Sequence, residues 1–270
     1  MSRKRIINIV LKEWRFLFTD FNTIFLVTFL PLLIIGQLLL YIWLAVTFIG
    51  ESTLSIGILQ NAMANLQAST PEVSLLTTGE QFQVLLLSQF SFYMLLIPVM
   101  ISVSVATFSI VDEKLSGSLE ALLATPVKTW ELLLGKALAG ALPSLAATWV
   151  CSGIFILAVM AIGWGYLLEM VTTPVWFISL FLFTPAVTIL SFLLGVIGSS
   201  RAKDSKSAQN LVVLVVLPVL GLIVLQITGV LWFSTIPAIL LALGIFAVDL
   251  IVLRIAVTLF QRESIVIRWR

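Results

Sequence analysis

The chain has 270 residues, 60% hydrophobic and 10% charged, well below the roughly 25% charged share of a soluble domain. With a mean hydropathy of +1.17, so much apolar surface excludes a water-soluble globule and makes lipid the natural solvent. The net charge is +2, there is no histidine, and there is one cysteine, Cys151. These exclude an internal disulfide framework and remove the commonest metal ligand and general base.

The distribution of charge says more than its sum. Lys and Arg occur only within 3–15, 114–136, 201–206 and 254–270, leaving 16–113, 137–200 and 207–253 without a cation. Each empty stretch is long enough to cross a bilayer and return, and cations flanking such segments stay in the cytoplasm. The pattern predicts an all-α integral membrane protein of six crossings in three hairpins, forming one transmembrane domain over 1–270. Both termini and every basic cluster fall on the cytoplasmic side of the cell's inner (cytoplasmic) membrane. The opposite side is left with acids only: Glu51, Glu72, Glu80 and Glu169.

In chain order, residues 5–19 predict an amphipathic helix at the membrane interface. Ile6, Val10, Trp14, Leu17 and Phe18 share one face, while Asn8, Lys12, Arg15 and Thr19 lie away from it. Lys12, Glu13 and Arg15 interrupt the apolar residues, so no cleaved signal segment is expected. The spans are expected at 23–48, 82–111, 132–162, 175–197, 211–230 and 236–260. An exoplasmic segment at 50–81 carries a short surface helix on Leu54, Ile58, Leu59, Ala62, Met63 and Leu66. Trp232 and Phe233 suit an interface anchor in the tight link before the sixth span.

Pro31, Pro98, Pro143, Pro185 and Pro218 fall inside spans, where neighbouring helices can re-satisfy the broken backbone bond. Gln37, Gln89, Gln226, Ser88 and Ser91 are expected to bind helices to one another. Gly195 with Gly198, and Gly135 with Ala139, allow close backbone approach. Only the second pair has the small-xxx-small spacing that favours packing. The ionisable groups assigned to the span interiors are Asp249 and Arg254 in the sixth, with Cys151 in the third. Arg254 can snorkel to the interface. Asp249 is deeper, and reads either as a functional carboxylate or as a structural partner of Arg254 or of a neighbouring helix, the second being favoured.

The connection at 112–131 reads DEKLSGSLEALLATPVKTWE. Leu115, Leu119, Leu122 and Leu123 share a helical face, and Pro126 stops that helix. A short two-faced helix tied directly to two spans can pass a push from a cytoplasmic partner into the membrane. The plainer reading is an interfacial linker.

From Glu113 to Lys136 the run E-K-x-x-G-S-L-E-x-L-L-x-T-P-V-x-x-W-E-L-x-L-G-K resembles the signature of ABC-2 type transporter permeases. That resemblance implies six spans, an N-terminal interfacial helix and a coupling helix between spans two and three. It implies a permease that dimerises, with a second copy or a homologous permease, and binds two copies of a separate ABC ATPase subunit. Glu113, Lys114, Gly117, Ser118, Glu120, Leu123, Thr125 and Pro126 would then carry the coupling contact, Ser118 standing where Thr is common. Arg201, Lys203, Asp204 and Lys206 form a second loop that would either touch the same partner or only fix topology.

ATP and Mg would belong to the ATPase. This chain has no G-x-x-x-x-G-K-[ST] loop, and Gly135-Lys136 is followed by Ala137. No catalytic set, cofactor or metal site is expected here, and nucleic acid is not an expected partner. Membrane lipids are. The leading expectation is the membrane subunit of an ABC exporter for a hydrophobic or amphipathic cargo such as a lipid, lipid-linked molecule or drug. The alternatives are a non-transporting scaffold coupled to an ATPase, and an ion-driven carrier using Asp249.

Overall fold

A computed structural model of the chain describes residues 2–19, 21–48, 57–115, 117, 129–201 and 205–259. Its long helices are α1 (Ser2–Leu17), α2 (Phe21–Phe48), α3 (Gly57–Ser69) and the broken run α4 (Thr78–Ser88), α5 (Phe90–Tyr93) and α6 (Leu96–Leu115). There follow α7 (Thr129–Ala161), the short α8 (Leu168–Val171) and α9 (Pro174–Ile178), then α10 (Thr184–Arg201), α11 (Ser205–Ile227) and α12 (Thr235–Leu259). Among the described residues, five helical runs are long and apolar enough to cross a membrane: Thr23–Phe48, Thr78–Val111, Trp130–Ala161, Pro174–Ser199 and Thr235–Leu259. In α11 the apolar stretch is shorter, Val213–Ile227.

The second run is the axis of the fold. Its most apolar window is 89% buried by protein, against 17% for the last run. Residues Val99, Ile101, Val103, Ala106 and Ile110 of α6 are buried, and α6 packs on α10, α11 and α7. Small residues set how close these helices come. A Cβ on Gly195 would lie 3.0 Å from the Ala106 Cβ and 3.1 Å from the Val103 carbonyl oxygen, and one on Gly140 would lie 2.9 Å from the Phe192 ring. Gly195 thus makes a tight approach although it lacks the small-xxx-small spacing, and Gly140 is a contact that sequence spacing did not single out.

Proline chemistry explains the irregular turns. The second run breaks at Gln89 and again at Met94–Leu95, and Pro98 stands in the first turn of the resumed α6. A missing N–H costs nothing there. A π turn over Ser179–Phe183 precedes Pro185, as expected where a ring crowds the preceding carbonyls. Pro31, Pro143 and Pro218 lie inside continuous helices. At the head of α4 Thr77 and Glu80 form a reciprocal capping box, and Tyr166 donates to the Glu80 carboxylate at 3.0 Å.

Contacts define two ends. Gly140 faces Phe192 and Val105, and Gly195 faces Ala106, so the α6 and α10 C-termini and the α7 N-terminus point the same way. At the other end lie Glu80 beside Tyr166, Asn65 beside Gly229 and Trp232 beside Ser69. Helix α3 does not rest on the surface by its apolar face. Ala62 and Leu66 are buried, and Gly229 of the link between α11 and α12 closes over Ala62.

Gly195→Leu should destabilise the fold by about 1–3 kcal/mol, because Val103 backbone cannot yield to a side chain. Gly153→Leu, with open space around its Cβ position, should cost nothing. Thermal unfolding in mild detergent compares the two.

Candidate functional site at the junction of three helices

Helix α7 has 33 residues, about 50 Å of helix against roughly 30 Å of hydrocarbon. Several turns must project beyond the apolar slab, and α1 lies against its first turns. Arg5 reaches Glu131 at 3.7 Å. Ile9 fills the space over Gly135, where a Cβ would lie 2.7 Å from its Cγ2. Trp14 donates its indole N–H to the Ala139 carbonyl at 3.0 Å. These contacts advance together, about one turn per step, so α1 runs parallel to the root of α7.

Between them sits a buried ionic cluster. Lys136 is 1% exposed and Glu13 5%. The Lys136 ammonium lies 3.1 Å from Glu13 Oε1, 2.9 Å from Glu113 Oε2 and 2.7 Å from Ser109 Oγ. Ser109 in turn donates to Glu13 Oε2 at 3.0 Å. Lys12 closes the cluster from the exposed side, 3.3 Å from Glu113 and 3.8 Å from Glu13. Two cations meet two carboxylates, so the junction is neutral as a whole. Lys136 donates to Glu13 Oε1 and Ser109 Oγ and pairs with Glu113 by charge, so its partners come from two other helices. A buried charge is tolerated only when it is paired.

This places one expected coupling residue, Glu113, and corrects one expectation. Lys136 lies in α7, within the third expected span, and is fully buried, so Asp249, Arg254 and Cys151 are not the full set of ionisable groups in the expected spans. On α1, Glu13 points inward with Ile9 and Leu17, while Ile7, Leu11 and Phe18 are exposed. The sequence signal for Lys136 was a lone cation after Gly135 in an apolar run. Nothing local marked Ser109 as its partner.

The other expected residues fall as follows. Lys114 is the penultimate residue of α6, and Gly117 turns the chain just beyond it with φ +69°, a conformation that favours glycine. Ser118, Glu120, Leu123, Thr125 and Pro126 lie outside the described residues, and with them the expected coupling helix. Of the second loop, Arg201 ends α10 and Lys206 lies in the first turn of α11. Lys203 and Asp204 lie outside the described residues. Asp249 is buried and its carboxylate oxygens have no hydrogen-bond partner among the described residues. Arg254 is exposed, and of the two structural partners expected for Asp249, Arg254 or a neighbouring helix, neither is seen to bond it among the described residues.

Lys136→Ala strands Glu13 and Glu113 without their buried partner, and should cost about 3–5 kcal/mol of stability. Replacing Lys136 and Glu13 together by Met and Gln should cost markedly less than the single change. Thermal melts of the purified protein read the difference.

Residues 7–237 match a family model described as ABC-2 family transporter protein. No curated protein matches the chain, and no solved structure does. The match spans most of the sequence, including α1 from Ile7 onward, the ionic junction and the motif from Glu113 to Lys136. The chain belongs to the ABC-2 family of transporter proteins, as a multi-pass, non-catalytic membrane subunit of the kind that works with an ABC ATPase.

Proposed function

We propose that this chain is the permease subunit of an ATP-driven exporter, energised by a separate ATPase, whose cargo is hydrophobic or amphipathic. In this reading six helical runs cross the inner membrane and the ionic junction lies at its cytoplasmic face. Two ATPase copies dock on residues 113–126 and on the 201–206 loop, and ATP and Mg stay with them. Two permease copies build the path between them, using apolar faces such as Phe25, Phe29 and Leu33 of α2, which the chain leaves exposed.

The observation that carries the reading is the anchoring of Glu113. The connection at 112–131 leaves the membrane beside a residue held by Lys136 and Lys12, and re-enters beside Glu131, held by Arg5. Both roots of the connection are therefore tied to α1 and to each other. A push on it is delivered to α6 and α7 together, the helices on which the fold is centred. A bare linker has no need of an ion pair at each of its roots, one of them buried.

A scaffold that only recruits a partner fits less well, since 50–81 is too short for a large exoplasmic domain. Asp249, without a hydrogen-bond partner among the described residues, keeps an ion-driven carrier in view, and the two readings part on one substitution. Asp249→Asn should leave ATP-linked transport intact if the ATPase supplies the energy, and abolish transport if a cation or proton gradient does.

The complex extracted from its native membrane should carry an ATPase at equal stoichiometry, and its absence under mild extraction would count against the proposal. Glu113→Gln should leave the ATPase bound through the rest of the 113–126 contact while reducing transport per ATP hydrolysed several-fold, because rigidity at the root is lost. Transport and hydrolysis measured side by side in vesicles test this. Equal loss of both would point to simple misfolding.

A further inference from the structure

At the end opposite the ionic junction lies a cavity of about 500 Å³, within the usual range for small-ligand sites. Its walls come from the end of α3 and the turn after it, the break between α4 and α6, the α8–α9 segment, and the link between α11 and α12. The link is clamped in place. Trp232 donates to Ser69 Oγ at 3.2 Å and Asn65 donates to the Gly229 carbonyl at 3.0 Å. Gly229, at φ +72°, lies so near α3 that a Cβ would come within 2.7 Å of the Ala62 Cα. The cavity is thus built into the packing, not left by a loose loop.

Its chemistry is uneven. Part of its lining is apolar and aromatic, with Leu66, Phe92, Val171 and Trp176 all buried. Two polar atoms of lining residues lack hydrogen-bond partners among the described residues: Gln226 Oε1 and Trp176 Nε1. Their residues are 5% and 4% exposed and both line the cavity. A buried acceptor and a buried donor left unmatched each cost free energy, and a ligand with the complementary pair removes that cost.

The mouth carries exposed Glu72 and Glu169. No lysine or arginine lines the cavity, and every segment that builds it falls in one of the stretches without a cation. Neither carboxylate has an ion-pair partner among the described residues. Two uncompensated carboxylates over an apolar pocket attract cations and repel anions.

We propose that this cavity binds an amphiphile with an ammonium head group. The ammonium lies toward Glu72 and Glu169 and donates to Gln226 Oε1. The apolar body packs on Phe92 and Leu66. Trp176 N–H meets an oxygen near the amine, such as a hydroxyl or ester. As a statement about cargo this rests on the permease reading, but as a binding site it is measured without ATPase or transport.

The test uses the full chain in phosphatidylcholine nanodiscs with dansylcadaverine, a fluorescent primary amine with an aromatic body, and a dansyl carboxylate of equal length. The amine should bind saturably with a blue-shifted emission and be displaced by octylammonium but not by octanoate. The carboxylate should not bind. Glu72→Gln with Glu169→Gln should weaken the amine about tenfold, the scale of one charge-assisted contact, with the melting temperature unchanged. Gln226→Ala, which leaves both charges in place, should also weaken it.

Discs containing phosphatidylethanolamine distinguish the sources of the head group. Competition by that lipid assigns the site to a bilayer aminolipid, and lack of it assigns the site to an amphiphile arriving from water. Equal binding of amine and carboxylate, or an affinity indifferent to both sets of substitutions, overturns the proposal. Amine binding without ATP-linked transport would leave the site standing and count against the permease reading alone.

Discussion

One lysine in the interior constrains everything near it. Lys136 is committed to Glu13, Glu113 and Ser109, and removing any of these leaves charge or hydrogen-bonding capacity stranded in a medium that penalises it. The positions of α1, the end of α6 and the start of α7 are therefore not independently adjustable. The hydrophobic effect supplies little discrimination among helices in lipid, where one apolar face is as good as another. A buried, balanced set of charges supplies it here, by admitting one arrangement of three segments.

The rest of the bundle is organised by fit. The second helical run is almost enclosed by its neighbours, and glycines at 140 and 195 let the helices around it close in. Around this core, α2 and α12 keep long apolar faces outward. Polarity is divided between the ends. Compensated ion pairs gather where the connection at 112–131 leaves and re-enters, and uncompensated carboxylates gather at the far end. The first arrangement favours rigidity and the second favours attraction of something mobile.

How much of this was legible in the sequence follows from the range of each interaction. An all-helical membrane protein was legible from its long apolar runs, because that signal is carried by every residue of a run, and long helices cover 21–48, 129–161 and 235–259. Family membership was legible in the run from Glu113 to Lys136. The junction was not, since Glu13, Ser109 and Lys136 are separated by 96, 27 and 123 positions and no periodicity links them. For the same reason Glu13 looked like a break in an amphipathic face. Its burial is decided by α7, not by α1. Asp249 was expected to find a partner in Arg254 or in a neighbouring helix, and its oxygens have no hydrogen-bond partner among the described residues. The breaks at Met94–Leu95 and Ser179–Phe183 were foreshadowed only as far as Pro98 and Pro185 announced irregularity.

The parallel contact between α1 and α7 has a last consequence. Its steps alternate charge, cavity and charge: Arg5 to Glu131, Ile9 over Gly135, Glu13 to Lys136. Slipping α1 by one turn in either direction would bring Ile9 or Leu17 against the Lys136 ammonium, and neither can accept a hydrogen bond. The two helices therefore have a single alignment, with no neighbouring one to slide into. Whatever displaces α1 must carry the root of α7 with it, as one stiff beam and not as two rods in contact.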